Sequence, residues 1–133
     1  KKPFSHAGII RFKGHLMTYV PGVGPCYRCV FKNPPSKDAV PTCQQAGVIG
    51  DMGGVLGLLQ ATQAIQYLIG VGELLTGYLL TYDALTMEFH KIKLPKDTHN
   101  CEVCGDHPTI LKPIDYEQEV CEETANRFNA PRQ

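Results

Sequence analysis

Four of the six cysteines in this 133-residue sequence fall into two Cys-x-x-Cys pairs, Cys26-Tyr27-Arg28-Cys29 and Cys101-Glu102-Val103-Cys104. Two thiolates at that spacing on one tight turn can face a single tetrahedral ion, and two such turns complete a shell of four sulfurs. With every position filled by thiolate, none is left for water, so the zinc that such a shell favours would hold structure and do no catalysis. Gly105 follows the second pair, where a residue free to adopt positive φ lets backbone N–H groups turn back toward the sulfurs. The first pair follows Pro21-Gly22-Val23-Gly24-Pro25 but has Val30 where such a turn often has Gly. The stretch from Cys29 to Cys101 is far longer than the gap in a compact zinc finger, so the ion would clip two distant segments together. By analogy with a disulfide, closing a loop of that size removes about 4 kcal/mol of unfolded-state freedom.

The spacing leaves other chemistry open: a redox dithiol, disulfides or bound iron. A thioredoxin-like motif should open a helix after a strand, whereas both pairs here read as turns. His99 and His107 flank the second pair and read as surface residues beside a complete shell. His6, His15 and His90 alternate with apolar residues in strand-like runs and read as sheet-face residues. Cys43 stands apart, just before the start of a long helical pattern. There the positive end of the helix dipole favours thiolate and raises reactivity, although a buried structural cysteine fits the same position. Cys121 lies in a polar stretch and has no evident role.

The elements that must position these residues follow from hydrophobic periodicity and turn signals. Ala7 to Phe12 and His15 to Val20 read as two strands around a Lys13-Gly14 turn. Residues 32–42 form a polar, proline-rich loop in which neither helix nor strand can settle. From Val48 to Ile69, apolar residues recur at helical spacing and Gly70 supplies a C-terminal stop. The first half of this helix holds Gly50, Gly53, Gly54 and Gly57, each costing close to 1 kcal/mol against Ala, so close packing against another backbone is the expected reason for them. Tyr78 to Tyr82 and Met87 to Leu94 read as a hairpin around residues 83–86. The apolar face of its second strand switches partway, which a bulge would explain. Residues 1–110 read as the folded part and 111–133 as a polar tail, with a short helix near 117–128.

Composition narrows the function classes. Thirteen Lys and Arg balance thirteen Asp and Glu, giving zero formal charge, and without a basic surplus the electrostatic footprint of nucleic-acid binding is missing. The longest apolar region, from Val48 to Ile69, is interrupted by Asp51, Gln60, Gln63 and Gln66, so no membrane span is expected. The first six residues contain no apolar secretory core. Gly70-Val71-Gly72-Glu73-Leu74-Leu75 starts like a dinucleotide fingerprint, but it lacks the third Gly and follows a helix. The chain contains no Gly-x-x-x-x-Gly-Lys-Ser/Thr phosphate loop.

The motifs occur in a distinctive order. Gly24-Pro25-Cys26-Tyr27-Arg28-Cys29-Val30-Phe31 is followed by Cys43-x-x-Ala46-Gly47-Val48-Ile49-Gly50, then Gly54-Val55-Leu56-Gly57-Leu58-Leu59-Gln60-Ala61, then Tyr82-Asp83-Ala84-Leu85-Thr86 and Cys101-x-x-Cys104-Gly105. This order closely resembles the MoeB/ThiF/HesA family of ubiquitin-activating-like adenylyltransferases, over nearly all of residues 5–105. The resemblance implies an α/β chain, the C-terminal part of a Rossmann-like activating-enzyme fold with β-hairpins, one long Gly-rich helix and a four-cysteine zinc site. It implies that Cys26, Cys29, Cys101 and Cys104 are structural zinc ligands. Cys43 falls where some members carry a cysteine that takes up the activated carrier through thioester or acyl-disulfide chemistry.

The implied reaction is attack by the C-terminal glycine carboxylate of a ubiquitin-like sulfur-carrier protein on the α-phosphate of ATP. The family's ATP and Mg2+ sites, with their Gly-x-Gly-x-x-Gly turn, belong to a half that would precede this chain, so the 133 residues alone are expected to be inactive. A homodimer and a cytoplasmic location also come with the resemblance, and a reducing cytoplasm suits free thiolates. From a different class, a zinc-stabilised, non-catalytic module that binds a ubiquitin-like protein fits the same residues.

Overall fold

A computed structural model describes residues 2–33 and 46–113. Its centre is a four-stranded antiparallel sheet in the order β1-β2-β3-β4, formed by β1 (Phe4–Ile10), β2 (Lys13–Tyr19), β3 (Tyr78–Asp83) and β4 (Glu88–Lys93). Among the described residues two helices accompany it: a single turn, α1 (Tyr27–Val30), and a long helix, α2 (Gly50–Ile69). The reading of 32–42 as a loop falls mostly outside the described residues, and the helix near 117–128 falls wholly outside them.

The first hairpin turns two residues earlier than its sequence suggests. Phe4 pairs with Tyr19 and Ile10 with Lys13, so the turn is Arg11-Phe12, with Arg11 in the left-handed region at φ 54°. Gly14 is a strand residue with a different duty: it is buried opposite α2, and a Cβ there would run into the side chain of Leu56. A residue that reads as turn chemistry is instead what lets the helix approach the sheet.

The second hairpin pairs Tyr78 with Lys93 through Asp83 with Glu88 in unbroken register, so the expected bulge is absent. The apolar face of β4 switches without a bulge because β4 is an edge strand with all six residues exposed, so neither face has to be uniformly apolar. Met87, at φ 61°, closes the turn, and its sulfur accepts the Tyr82 hydroxyl at 3.1 Å.

Strand β2 is buried on both sides. Gly14, Leu16 and Thr18 face α2, while His15, Met17 and Tyr19 alternate to the opposite face; Leu16 and Met17 are both fully buried. On the helix side, Met52, Leu56 and Tyr82 form a buried cluster with Ala7, Ile9, Val55, Leu59 and Ala84 packed around it. Buried Gln63 ties this layer together. Its Oε1 accepts the Thr18 hydroxyl at 2.9 Å and the Leu75 backbone N–H at 2.7 Å, and its Nε2 donates to Gln66 Oε1 at 2.8 Å.

The helix begins two residues after Val48 and stops where the sequence indicates: Gly70 adopts the left-handed conformation at φ 69° and its N–H bonds the Gln66 carbonyl at 3.0 Å. The expected close packing at the helix glycines is not found. A Cβ built at Gly50, Gly53, Gly54 or Gly57 meets nothing within 4 Å, because these residues point away from the sheet.

Candidate metal centre

Strand β2 ends at Tyr19, and Pro21-Gly22 turns the chain so that Cys26 caps α1. The first cysteine pair therefore opens a helical turn and is not part of an irregular loop: the Cys29 N–H bonds the Cys26 carbonyl at 3.1 Å, and both side chains lie on the side facing the second pair. The second pair is delivered by the segment after β4, whose course is fixed by Leu94 N–H on the Gly77 carbonyl at 2.9 Å. Its turn is closed by Cys101 N–H to Thr98 O at 3.0 Å and Asp106 N–H to His99 O at 3.1 Å.

Gly105 is needed here, but for a different reason from the one its sequence position suggests. It is not among the positive-φ glycines, and its N–H bonds the Cys101 carbonyl at 3.0 Å. A Cβ at this position would strike the carbonyl oxygens of His99 and Cys101, which are backbone atoms that cannot swing away. In this turn the backbone N–H groups that aim at a sulfur are those of Val103 and Cys104, toward Cys101, as the Cys29 N–H aims at Cys26 in the first turn.

The four sulfurs converge. Cys26 Sγ lies 3.8 Å from Cys29 Sγ and 3.6 Å from Cys101 Sγ, and Cys29 Sγ lies 3.4 Å from Cys104 Sγ; all four fall within 4.8 Å of one another. A tetrahedral ion with sulfur ligands at about 2.3 Å sets its ligands about 3.8 Å apart, so the donor set and its spacing fit such an ion. No disulfide joins them. Among the described residues this is the one cluster suited to a metal, and neither His99 nor His107 belongs to it. His99 Nδ1 instead pairs with Asp106 Oδ2 at 2.8 Å, which raises its pKa.

The electrostatics of the cluster are uneven. Burial pushes the Cys26 thiol up to about 11 and raises Cys29 further. Burial also acts on Cys101, but the backbone N–H groups of Cys104 and Val103 and the neighbouring thiols outweigh it and bring Cys101 down to about 7. A metal entering this site has to displace protons, so its hold depends on pH. Tyr19, packed beside the cluster, has its phenol raised by burial and by the charge of the cysteines.

Two features around the site leave no trace in the sequence pattern. Arg28 Nε donates to Glu102 Oε2 at 3.3 Å, linking the two cysteine turns outside the sulfur shell. His6, His15, Tyr27 and Phe31 form a ring cluster that seats α1 on the sheet: the His6 and Tyr27 ring centres are 4.5 Å apart, those of His15 and Phe31 5.5 Å, and those of the two imidazoles 5.7 Å. His6 and His15 are thus the sheet-face residues their alternation implies, with partners supplied by a distant segment. His90 lies on exposed β4, where its Nε2 is 3.6 Å from Glu88 Oε2. Cys43 and Cys121 lie outside the described residues. No helix among the described residues is long and apolar enough to cross a membrane.

Residues 1–103 match the ThiF family model. The chain is 43% identical over 121 residues to the sulfur carrier protein adenylyltransferase of Thermus thermophilus, a match covering 87% of this chain and 44% of that protein. It is 42% identical over 116 residues to the adenylyltransferase and sulfurtransferase MOCS3 of Bos taurus, covering 87% of this chain and 26% of that protein. It is 41% identical over 118 residues to the protein of the same name from Aedes aegypti, covering 89% and 27% respectively. The chain thus spans less than half the length of each of these relatives.

Proposed function

The chain belongs to the ThiF family, and from that premise we propose that it is the C-terminal part of an ATP-dependent adenylyltransferase acting on the C-terminal glycine of a ubiquitin-like sulfur-carrier protein. The observation that carries this reading is the similarity to adenylyltransferases over 87% of the chain, in register with a converged four-sulfur cluster. In the proposed reaction a carrier carboxylate oxygen attacks the α-phosphate of ATP, a new P–O bond forms, and pyrophosphate leaves. A poor acyl donor becomes an acyl-adenylate with AMP as its leaving group.

The division of labour follows from the residues present. We place ATP and Mg2+ in the part of the relatives that this chain does not span, since it has no phosphate-cradling loop. Cys26, Cys29, Cys101 and Cys104 are proposed to hold zinc, which, when bound, supplies a closed structural cross-link and no open coordination position. These four residues, with Arg28, Glu102 and the His6-His15-Tyr27-Phe31 rings, fix α1 and the segment after β4 against the sheet. We assign Cys43 as the acceptor: its sulfur attacks the acyl-adenylate, forming a thioester and releasing AMP. The protein acts as a cytoplasmic homodimer in this reading, with the carrier as its protein partner and neither nucleic acid nor membrane involved.

Pyrophosphate exchange tests the assignment. The 133-residue chain with a ubiquitin-like sulfur carrier should bind the carrier but return no label from pyrophosphate to ATP. Exchange by the chain alone would overturn the placing of the nucleotide site elsewhere, and absence of carrier binding would overturn the assigned partner. In a protein that does adenylate, Cys43→Ala should leave exchange intact and abolish the carrier thioester.

A further inference from the structure

The four sulfurs of the cluster do not share one environment. Cys26 is only 4% exposed, whereas Cys29, Cys101 and Cys104 are partly open. Of the four, Cys29 and Cys101 line a cavity of about 440 Å³ between the two cysteine turns; Cys26 and Cys104 do not. Lys32 and Asn33, just beyond α1, and Asp97 and Asn100, ahead of the second turn, line the same space, and the Arg28–Glu102 pair completes its wall. At about 30 Å³ for each water, the cavity has room for roughly ten or more, enough for a cation that still carries its hydration shell.

The lining is that of a passage for an ion. Sites for small organic ligands are mostly apolar and aromatic, and no aliphatic or aromatic side chain lines this one. Two cations, Arg28 and Lys32, match two anions, Asp97 and Glu102, so the wall has no net charge with which to trap a cation on its way. Carboxylate and amide oxygens suit a hydrated divalent ion in transit, and the thiolates at the end of the passage are the softer ligands that zinc prefers. A shell of four thiolates is closed, so an ion can be exchanged only when some of the sulfurs let go.

We propose that this cavity is the portal of the metal centre, and that a divalent cation enters and leaves it on the side of Cys29 and Cys101. On exit the bonds from the ion to these two sulfurs break first. Each sulfur keeps its electron pair and takes a proton from water, while water or the donor atoms of a chelator fill the vacated positions. Entry is the reverse, and no oxidation state changes. The portal rests on the reading of the four cysteines as metal ligands.

Zinc exchange tests it. With the zinc-loaded 133-residue chain, the measurements are the rate of release to an excess of a colorimetric chelator, the rate at which bound zinc exchanges with radioactive zinc in solution, and the equilibrium affinity. Asn33→Trp and Asn100→Trp, at exposed positions on opposite walls, should each slow release and exchange at least tenfold and leave the affinity within twofold, because an obstruction in the passage alters neither the bound nor the free ion. Damage to the shell itself would do the reverse, with faster release and weaker binding. His107→Trp, exposed beside the second turn but outside the cavity, should change nothing. With a small alkylating agent, Cys29 or Cys101 should be the first of the four ligands modified, as mapped by mass spectrometry. A chain that binds no zinc would overturn the metal reading and the portal with it. Zinc bound in full, with rates indifferent to both tryptophans, weakened binding in both, or Cys26 or Cys104 alkylated first, would overturn the portal alone.

Discussion

Arg28 and Glu102, 74 residues apart in sequence, meet at 3.3 Å through Nε and Oε2. Each is an interior residue of one Cys-x-x-Cys turn, so the pair repeats on the surface the junction the four sulfurs make beneath it. Glu102 is more than half exposed, and pairs of this kind contribute about 0–1 kcal/mol. The ion pair can align the turns but adds little strength, which would have to come from an ion held by the four sulfurs.

Metal removal should therefore be severe. The zinc-loaded chain is expected to contain one zinc, and chelation should lower its melting temperature sharply, since shells of this kind bind with about 10–16 kcal/mol of apparent free energy. Elemental analysis and calorimetry with and without chelator measure this; a metal-free protein that melts unchanged would refute the structural role. Gly105→Ala should weaken zinc at least about tenfold, or 1.4 kcal/mol, because its Cβ would strike two backbone carbonyls.

The same glycine-to-alanine change should have opposite signs at two sites. At Gly53 the Cβ enters open space, and helix propensity predicts a gain of up to about 1 kcal/mol. At Gly14 it enters the side chain of Leu56, and overpacking predicts a loss of about 1–3 kcal/mol. Urea unfolding of the two variants reads both.

Acid should weaken the seat of α1. Burial lowers the pKa values of His6 and His15, with mutual repulsion adding to the shift at His15, and His15 Nε2 is buried without a hydrogen-bond partner. Below about pH 6.5 the unfolded chain takes up protons that the folded chain resists. The stability these imidazoles provide is complete above that pH and is lost as pH falls toward their lower folded values. The urea midpoint should drop between pH 7.5 and 5, and the His6→Phe/His15→Phe variant should show a shallower drop. An identical slope in wild type and variant would refute this. His99, raised by Asp106, acts in the opposite sense and is the same in both proteins.

Gln63 makes a fourth test. Gln63→Leu strips the Thr18 hydroxyl and the Leu75 N–H of their shared acceptor in a buried site, at a cost of about 1–3 kcal/mol. Thr18→Val added to it removes one of the two orphaned groups and should recover part of the loss. Hydrogen exchange at the Leu75 amide should rise in both variants.

The cysteine shell was legible because its information is local: two residues between thiols decide whether they can share an ion, whatever the rest of the chain does. The end of α2 at Gly70 was legible for the same reason. Gly14 was not, because a glycine has one letter for two duties, and only the approach of Leu56 shows that this one admits a helix. The edge position of β4, which makes its mixed faces harmless without a bulge, depends on which strands pair. The rings that join His6 and His15 to Tyr27 and Phe31 likewise depend on where α1 lands, which no periodicity encodes.

Burial of β2 on both faces has a consequence for how the chain avoids error. A slip of one position would turn Leu16 and Thr18 toward the cysteine turns and His15, Met17 and Tyr19 toward α2. Gly14, the one residue that admits Leu56, would then face the wrong way. Such a slip would also displace the strand end that leads to Cys26, and the four sulfurs would no longer close. An ion held by all four sulfurs would therefore favour only chains whose first hairpin is already in register.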